Sequence, residues 1–232
     1  MIMKLPTSVT EEKLSEKGRI VIGVDEVGRG PLAGPVVSAA SWVNPDFFDV
    51  DFKEKDLIRD SKTLSEKQRK KIYDIMVNEK SFFFGRGDVS ERIIDKINIL
   101  NASLLAMRLA VEDILPKIEE ALNIEREECQ KRVVVLVDGN KEIPGIKLNQ
   151  ISYLKGDQKI FSISIASIYA KVVRDKLMDD YHREFPDYGF NSNRGYGTKK
   201  HLTALMEKGP CLIHRRSFAP VKKALESDKT FS

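Results

Sequence analysis

Acidic residues stand at three places in this chain where an apolar run or a glycine presents them. Ile20 to Val24 ends in Asp25 and Glu26, followed at once by Val27-Gly28-Arg29-Gly30. Val133 to Val137 ends in Asp138-Gly139, and Lys155-Gly156 leads into Asp157. Carboxylates at strand tips suit a hard divalent cation, which takes oxygen ligands. The N–H groups of Gly28-Arg29-Gly30 and the Arg29 guanidinium suit a phosphodiester. Cation and phosphate together point to phosphoryl-transfer chemistry on nucleic acid.

Each piece also admits a plainer role. Asp25 and Glu26 could simply close a charged strand. Asp138-Gly139-Asn140 is ordinary turn sequence. Asp157 could be the N-cap of the helix that follows, a role compatible with metal binding. Adjacent carboxylates repel, and their pKa values split unless a cation neutralises them. Side chains alternate along a strand. The strand is therefore expected to end at Asp25-Glu26, or one of the two contributes through its backbone oxygen. Asp175 is expected in an i,i+4 surface pair or a salt bridge. Lys62, after Asp60-Ser61, could reach a phosphate. Tyr196, between Gly195 and Gly197, could stack on a sugar or base and hydrogen-bond through its hydroxyl. His201 and His214 read as lone structural or nucleic-acid contacts rather than metal ligands.

The elements that must hold these residues are legible from pattern. Arg19 to Val24 and Val36 to Val43 read as two strands of a hairpin. Ser65-Glu66-Lys67-Gln68 has capping-box spacing and opens a helix to about Val77. Ser81 to Gly87 reads as a third strand. Ser90 caps a short helix, and Asn98 to Leu122 forms a long one. Arg132 to Val137 reads as a strand buried on both faces. A fifth strand falls at Ile151 to Leu154, and a long helix runs from Gln158 to Phe185, with Pro186 ending it. Loop and short helix follow, and residues 1–17 form a helical lead-in. The order predicts an α/β fold, a mixed sheet with helices on its faces. Residues 1–185 form the expected core, and 186–232 a basic helical extension packed on it.

Bulk properties fit a globular protein of 232 residues, 41% hydrophobic and 32% charged. The net charge of +4 is modest. Its distribution is uneven: residues 171–232 carry a balance of +5 and the preceding 170 a balance of −1. That basic end fits a nucleic-acid footprint or a solvated surface equally well. Two distant cysteines, Cys129 and Cys211, argue against a disulfide framework or a zinc site. They fit a reducing cytoplasm, and the absence of a signal-like or spanning apolar run points the same way.

Taken together, these segments resemble the ribonuclease HII (type 2 ribonuclease H) family. The matching stretches are Gly23 to Val37, Asp60-Ser61-Lys62, Val137-Asp138-Gly139, Lys155-Gly156-Asp157, Ile165 to Asp175, Gly195 to Thr198, and His214 to Phe218. They follow the family's order over about residues 20–222. The resemblance implies a ribonuclease H-like fold with a C-terminal helical extension. It implies a four-carboxylate site of Asp25, Glu26, Asp138 and Asp157 holding two Mg²⁺ or Mn²⁺ ions. It also implies that Gly28, Arg29 and Gly30 read the ribonucleotide 2′-hydroxyl and adjacent phosphate. Tyr196 would pack on the sugar at a ribo–deoxy junction, and Lys62 would contact substrate. The expected substrates are RNA·DNA hybrids and DNA containing ribonucleotides, cut by a monomer. Asn191-Ser192-Asn193-Arg194 departs from the His and Lys that relatives often carry. The tail shows no clamp-binding sequence. Seventeen leading residues are too few for the N-terminal domain of type 3 relatives. The alternatives are another ribonuclease H-like DNA nuclease, which would not need a 2′-hydroxyl, and a non-catalytic nucleic-acid-binding module.

Overall fold

The computed structural model describes residues 5–49, 58 and 64–228. Strands β1 (Ile20–Val27) and β2 (Val36–Val43) form the expected antiparallel hairpin. Strand β3 (Phe82–Val89) pairs antiparallel with β2. On the other side of β1, β4 (Val133–Asp138) and then β5 (Asn149–Tyr153) add in parallel. The order is β3-β2-β1-β4-β5, a mixed sheet as the α/β reading requires. β1 and β4 lie at its centre, and their β-branched runs are buried on both faces.

Helix α3 (Glu91–Leu122) covers one face. Its Met107, Val111 and Ile114 pack with Ile22, Val24 and Val135. The helix breaks at Asn98, where φ is 64°. There the Asn98 side-chain oxygen accepts from the Leu100 and Asn101 N–H groups at 3.0 and 3.1 Å. Asn98 thus caps the second segment, so the two helices expected in this stretch are one chain path with a kink.

Helix α5 (Phe161–Glu184) covers the opposite face, its Ile163 against Val21 and Leu136, and Ala166 and Ala170 against Ala39. Small residues let it approach closely. A β carbon on Gly23 would lie 2.3 Å from the Ser162 carbonyl carbon, so only glycine permits this contact.

Helix α2 (Glu66–Asn78) starts at the predicted capping box, with Ser65 and Gln68 bonded in both directions. Such a cap stabilises a helix by about 1 kcal/mol. Two short helices, α1 (Val9–Ser15) and α4 (Arg126–Arg132), complete the core, the second without a forecast in the pattern. Helices α6 (Phe190–Asn193), α7 (Lys199–Lys208) and α8 (Ala219–Asp228) follow α5. They pack on the segment after the Gly28–Gly30 turn: Ala33 meets Phe190 and Ala204, and Leu32 meets Leu205 and Val221. This packing brings the C-terminal residues beside the hairpin turn. Among the described residues, no helix is long and apolar enough to cross a membrane. Cys129 and Cys211 are both free thiols.

Candidate active site

Strand register decides where the acids point. β1 does not end at Asp25-Glu26. It keeps pairing through Val27, with Asp25 opposite Ala39 and Glu26 opposite Ser38. The expected early stop is overturned because β2 supplies antiparallel partners to the last residue. Consecutive strand residues face opposite sides of a sheet. Asp25 lies on the α5 side and is only 4% exposed. Glu26 lies on the other side, in a cleft of about 230 Å³ shared with Arg29, Met107 and Asp138.

The parallel pairing of Val24 with Val137 sets Asp138, the last residue of β4, level with the acids of β1. The Gly156 N–H donates to Asp138 Oδ1 at 2.6 Å and ties the next loop to this strand end. Asp157 follows, 2% exposed, in a single 3₁₀ turn (Gly156–Gln158). The turn separates it from α5, whose N-cap is Ile160, so Asp157 is not that helix's cap. Lys155, just before the turn, holds a left-handed conformation at φ 55°. Such a position costs a non-glycine residue about 1–2 kcal/mol and persists only where the surroundings enforce it.

The acids act on one another. Burial pushes the Asp25 carboxyl well above the usual range, and repulsion from Glu26, Asp138 and Asp157 adds to it. A hydrogen bond with the Ser167 side chain opposes the rise. Burial also raises Glu26; Arg29 opposes this and Asp138 adds to it. A buried carboxyl among three others is a place where a cation would replace protons. Among the described residues, no three His, Cys, Asp or Glu side chains already converge as a chelate. Local donors hold two of them: Asp25 Oδ1 accepts from the Glu26 N–H at 2.7 Å, and Asp138 Oδ1 from Gly156. The donor set, all carboxylate oxygen, fits a hard divalent cation, which completes its shell with water.

The turn beside the acids is built closely. Gly28 has φ 96°, and a β carbon there would lie 2.3 Å from Arg174 Nε. The Arg29 guanidinium is half exposed and reaches Glu26 Oε1 at 3.4 Å. The Tyr196 ring lies against Gly30 and is itself 46% exposed. Leu32 N–H donates to the Gly195 carbonyl at 2.8 Å, which fixes the Tyr196 segment to the turn. Lys62 lies outside the described residues.

Other sequence-based expectations are met in part. Asp175 does form the i,i+4 pair, accepting from Lys171 Nζ at 2.7 Å, and Arg194 lies 3.7 Å away. It is buried rather than on the surface, because α5 faces Arg194 there. His201 and His214 are far from lone. Their Nε2 atoms are 3.0 Å apart, and both rings are buried. Their burial and their partners within the chain support the structural side of that expectation. Three residues without an expected role adjoin the site: Ser167, Arg174 and Arg215. No signal in sequence set the two arginines apart: Arg174 stands among Lys171, Asp175 and Lys176, and Arg215 between His214 and Arg216.

A model of the family described as "Ribonuclease HII" matches residues 22–221. Ribonuclease HII of Desulfotalea psychrophila is 46% identical over 207 residues, covering 89% of this chain and 84% of that protein. The crystal structure of ribonuclease H2 from Pyrococcus horikoshii OT3 aligns with TM-score 0.65 at 24% identity, covering 90% of this chain and 98% of that one. Bst-RNase HIII in complex with Mn²⁺ aligns with TM-score 0.66 at 19% identity, covering 91% and 71%. These structures share the fold, a ribonuclease H-like sheet with helices on both faces. The matched stretch spans β1 through the start of α8 and takes in every acid of the cluster. The chain belongs to the ribonuclease HII family.

Proposed function

We propose that this protein is an endoribonuclease that hydrolyses the RNA strand of RNA·DNA hybrids and nicks duplex DNA on the 5′ side of an embedded ribonucleotide. The observation that carries the site assignment is the cluster around Asp25. Burial, and then repulsion from Glu26, Asp138 and Asp157, makes the Asp25 carboxyl more basic, directly beside the Gly28–Gly30 turn. Asp25, Glu26, Asp138 and Asp157 would hold two divalent ions, Mg²⁺ or Mn²⁺. When bound, these ions acidify the attacking water and stabilise charge on the departing 3′ oxygen.

The chain's own residues do the rest. Because Asp25 and Glu26 face opposite sides of the sheet, Glu26 contributes from the strand edge, its backbone oxygen included. Arg29 lies on the solvent side of Glu26 and places a guanidinium where a phosphate would approach. The N–H groups of the turn approach the sugar–phosphate backbone without side-chain bulk at Gly28 and Gly30. A contact to the 2′-hydroxyl is what separates RNA from DNA at one nucleotide. The exposed Tyr196 ring offers a stacking face for the sugar at a ribo–deoxy step. Lys62 is a further candidate contact. Hydrolysis leaves a 5′-phosphate and a 3′-hydroxyl.

The test is hydrolysis of an end-labelled RNA·DNA hybrid with Mg²⁺, with Mn²⁺ and with EDTA, followed by mapping of the ends. Metal-dependent products with 5′-phosphates support the reading. Products that form equally in EDTA, or that carry 2′,3′-cyclic phosphates, would exclude it.

A further inference from the structure

Two fully buried guanidiniums lie behind the Gly28–Gly30 turn. Arg215 Nη2 donates to the Gly28 carbonyl at 2.6 Å, Nη1 to the Arg29 carbonyl at 3.0 Å, and Nε to the Gly34 carbonyl at 2.9 Å. Arg174 donates to the carbonyls of Pro35, Arg194 and Ala33 at 3.0, 2.9 and 3.1 Å. Together they bind six backbone carbonyls. Among the described residues, neither has a carboxylate within ion-pair distance. Burial without such a partner lowers both, Arg174 to about 10 and Arg215 to about 9, so both keep their charge at neutral pH.

Burying two charges without a carboxylate partner opposes folding, where an apolar side chain could fill the same space. The backbone geometry points to what they do. The peptide bonds are trans, and a planar trans peptide holds its C=O and N–H in opposite directions. With the Gly28 and Arg29 carbonyls drawn to Arg215, the N–H groups of Arg29 and Gly30 face the other way. Among the described residues, neither N–H donates to an acceptor of the chain. Hydrogen-bonding a carbonyl to a cation also polarises the N–H of the same peptide. The turn therefore presents two strengthened, outward-facing donors beside the acids and the Tyr196 ring.

We propose that Arg215, backed by Arg174, is the positioning residue for ribonucleotide recognition, fixing the Arg29 and Gly30 N–H groups toward the 2′-hydroxyl. The proposal rests on the reading given under the proposed function, in which this turn recognises that group. Arg215→Lys keeps a charge but loses the fork that spans three carbonyls. In Arg215→Ala the cavity could admit free guanidinium.

The experiment measures affinity in EDTA for two duplexes that differ only in one ribonucleotide. The unsubstituted protein should bind the ribonucleotide duplex more tightly. Arg215→Lys, folded by circular dichroism, should lose that difference while keeping its all-DNA affinity. With Mg²⁺, its kcat/KM on the ribonucleotide duplex should fall about 10–100-fold, mainly through KM, and millimolar guanidinium should rescue Arg215→Ala where equal NaCl does not. A folded Arg215→Lys that discriminates like the unsubstituted protein overturns the proposal. The ¹⁵N amide resonances of Arg29 and Gly30 supply a reading that needs no variant. They should shift with the ribonucleotide duplex and not with all-DNA, and equal shifts overturn the proposal. An unsubstituted protein that cuts neither hybrid nor ribonucleotide duplex overturns the functional reading itself, a distinct failure.

Discussion

The Tyr196 ring rests against Gly30: a β carbon on that glycine would meet the ring's Cε1 at 3.3 Å. The contact joins the C-terminal helices to the hairpin turn, so ring and turn form one surface. If the ring packs on the sugar at a ribo–deoxy step, removing it should matter most where one ribonucleotide is present. Stacking of this kind contributes about 1–3 kcal/mol. Tyr196→Ala should lower kcat/KM on a single-ribonucleotide duplex by about ten-fold or more, and less on a long hybrid. Tyr196→Phe should retain most of the activity if stacking dominates over the hydroxyl. Equal losses on both substrates would remove the junction role from this residue.

Asp25 makes the metal-free protein pH-sensitive in a definite sense. Its folded pKa is raised above 3.8 by burial and by the neighbouring acids. The folded state therefore holds its proton more tightly than the unfolded chain does. That contribution is fully present below pH 3.8 and is lost as pH rises through the folded value. At neutral pH in EDTA, Asp25→Asn should melt at a higher temperature than the unsubstituted protein, and the gap should close toward pH 4. Added Mg²⁺ should raise the melting temperature of the unsubstituted protein more than that of the variant, because cation binding favours the folded state. The same variant should be inactive. A variant that melts lower at neutral pH would contradict the electrostatic account of the site.

Gly28 tests the turn's construction. Alanine there would place a methyl 2.3 Å from Arg174 Nε and 2.9 Å from the Pro35 carbonyl, at a backbone φ of 96°. Neither neighbour can yield easily, since Arg174 is itself held by three carbonyls. Overpacking and the positive φ together should destabilise Gly28→Ala by about 2–4 kcal/mol in urea unfolding. A loss below about 0.5 kcal/mol would show that the turn is looser than described.

The buried histidines give an acid-side prediction of opposite sign. His201 Nδ1 lies 2.8 Å from the Tyr196 carbonyl and must donate to it. A neutral His201 then accepts at Nε2 from His214 Nε2–H, and His214 Nδ1 accepts the Cys211 N–H at 3.0 Å. Every atom is matched only while both rings are neutral. Burial, then repulsion from His201, lowers His214 to about 4. Its contribution is present above the ordinary value of 6.5 and is lost as pH falls from there through about 4. The stability gap between the unsubstituted protein and His214→Asn should narrow over that window in denaturant titrations. A constant gap would mean that His214 carries a charge in the folded state.

Local pattern made much of the fold legible. Ser65 and Gln68 announced α2, and the β-branched run Val133–Val137 announced a central strand, because capping and burial act within a few residues. Asp138 was legible as a strand-end carboxylate, and in the structure Glu26, Asp138 and Asp157 all repel the charge on Asp25. Effects that depend on distant partners were not legible. β1 runs on through Glu26 because Ser38 and Val37 pair with its end. His201 and His214 meet only when α7 folds over the following loop. Arg174 and Arg215 looked like ordinary basic residues, since five of the six carbonyls they bind lie 139 to 187 residues away in sequence and the sixth, that of Arg194, lies 20 away. Asp157 was ambiguous for a local reason: a 3₁₀ turn and a helix start share the same Gly-Asp signal.

The central claim is metal-dependent cleavage directed by a single 2′-hydroxyl. Its most direct test is a labelled DNA duplex carrying one ribonucleotide, run beside an all-DNA duplex with Mg²⁺, with Mn²⁺ and with EDTA. Asp138→Asn serves as the paired protein. The account predicts one nick, on the 5′ side of the ribonucleotide, only with metal. Asp138→Asn should lower turnover by more than about 100-fold while largely keeping substrate affinity. Cutting of the all-DNA duplex, or full activity of Asp138→Asn, would contradict it.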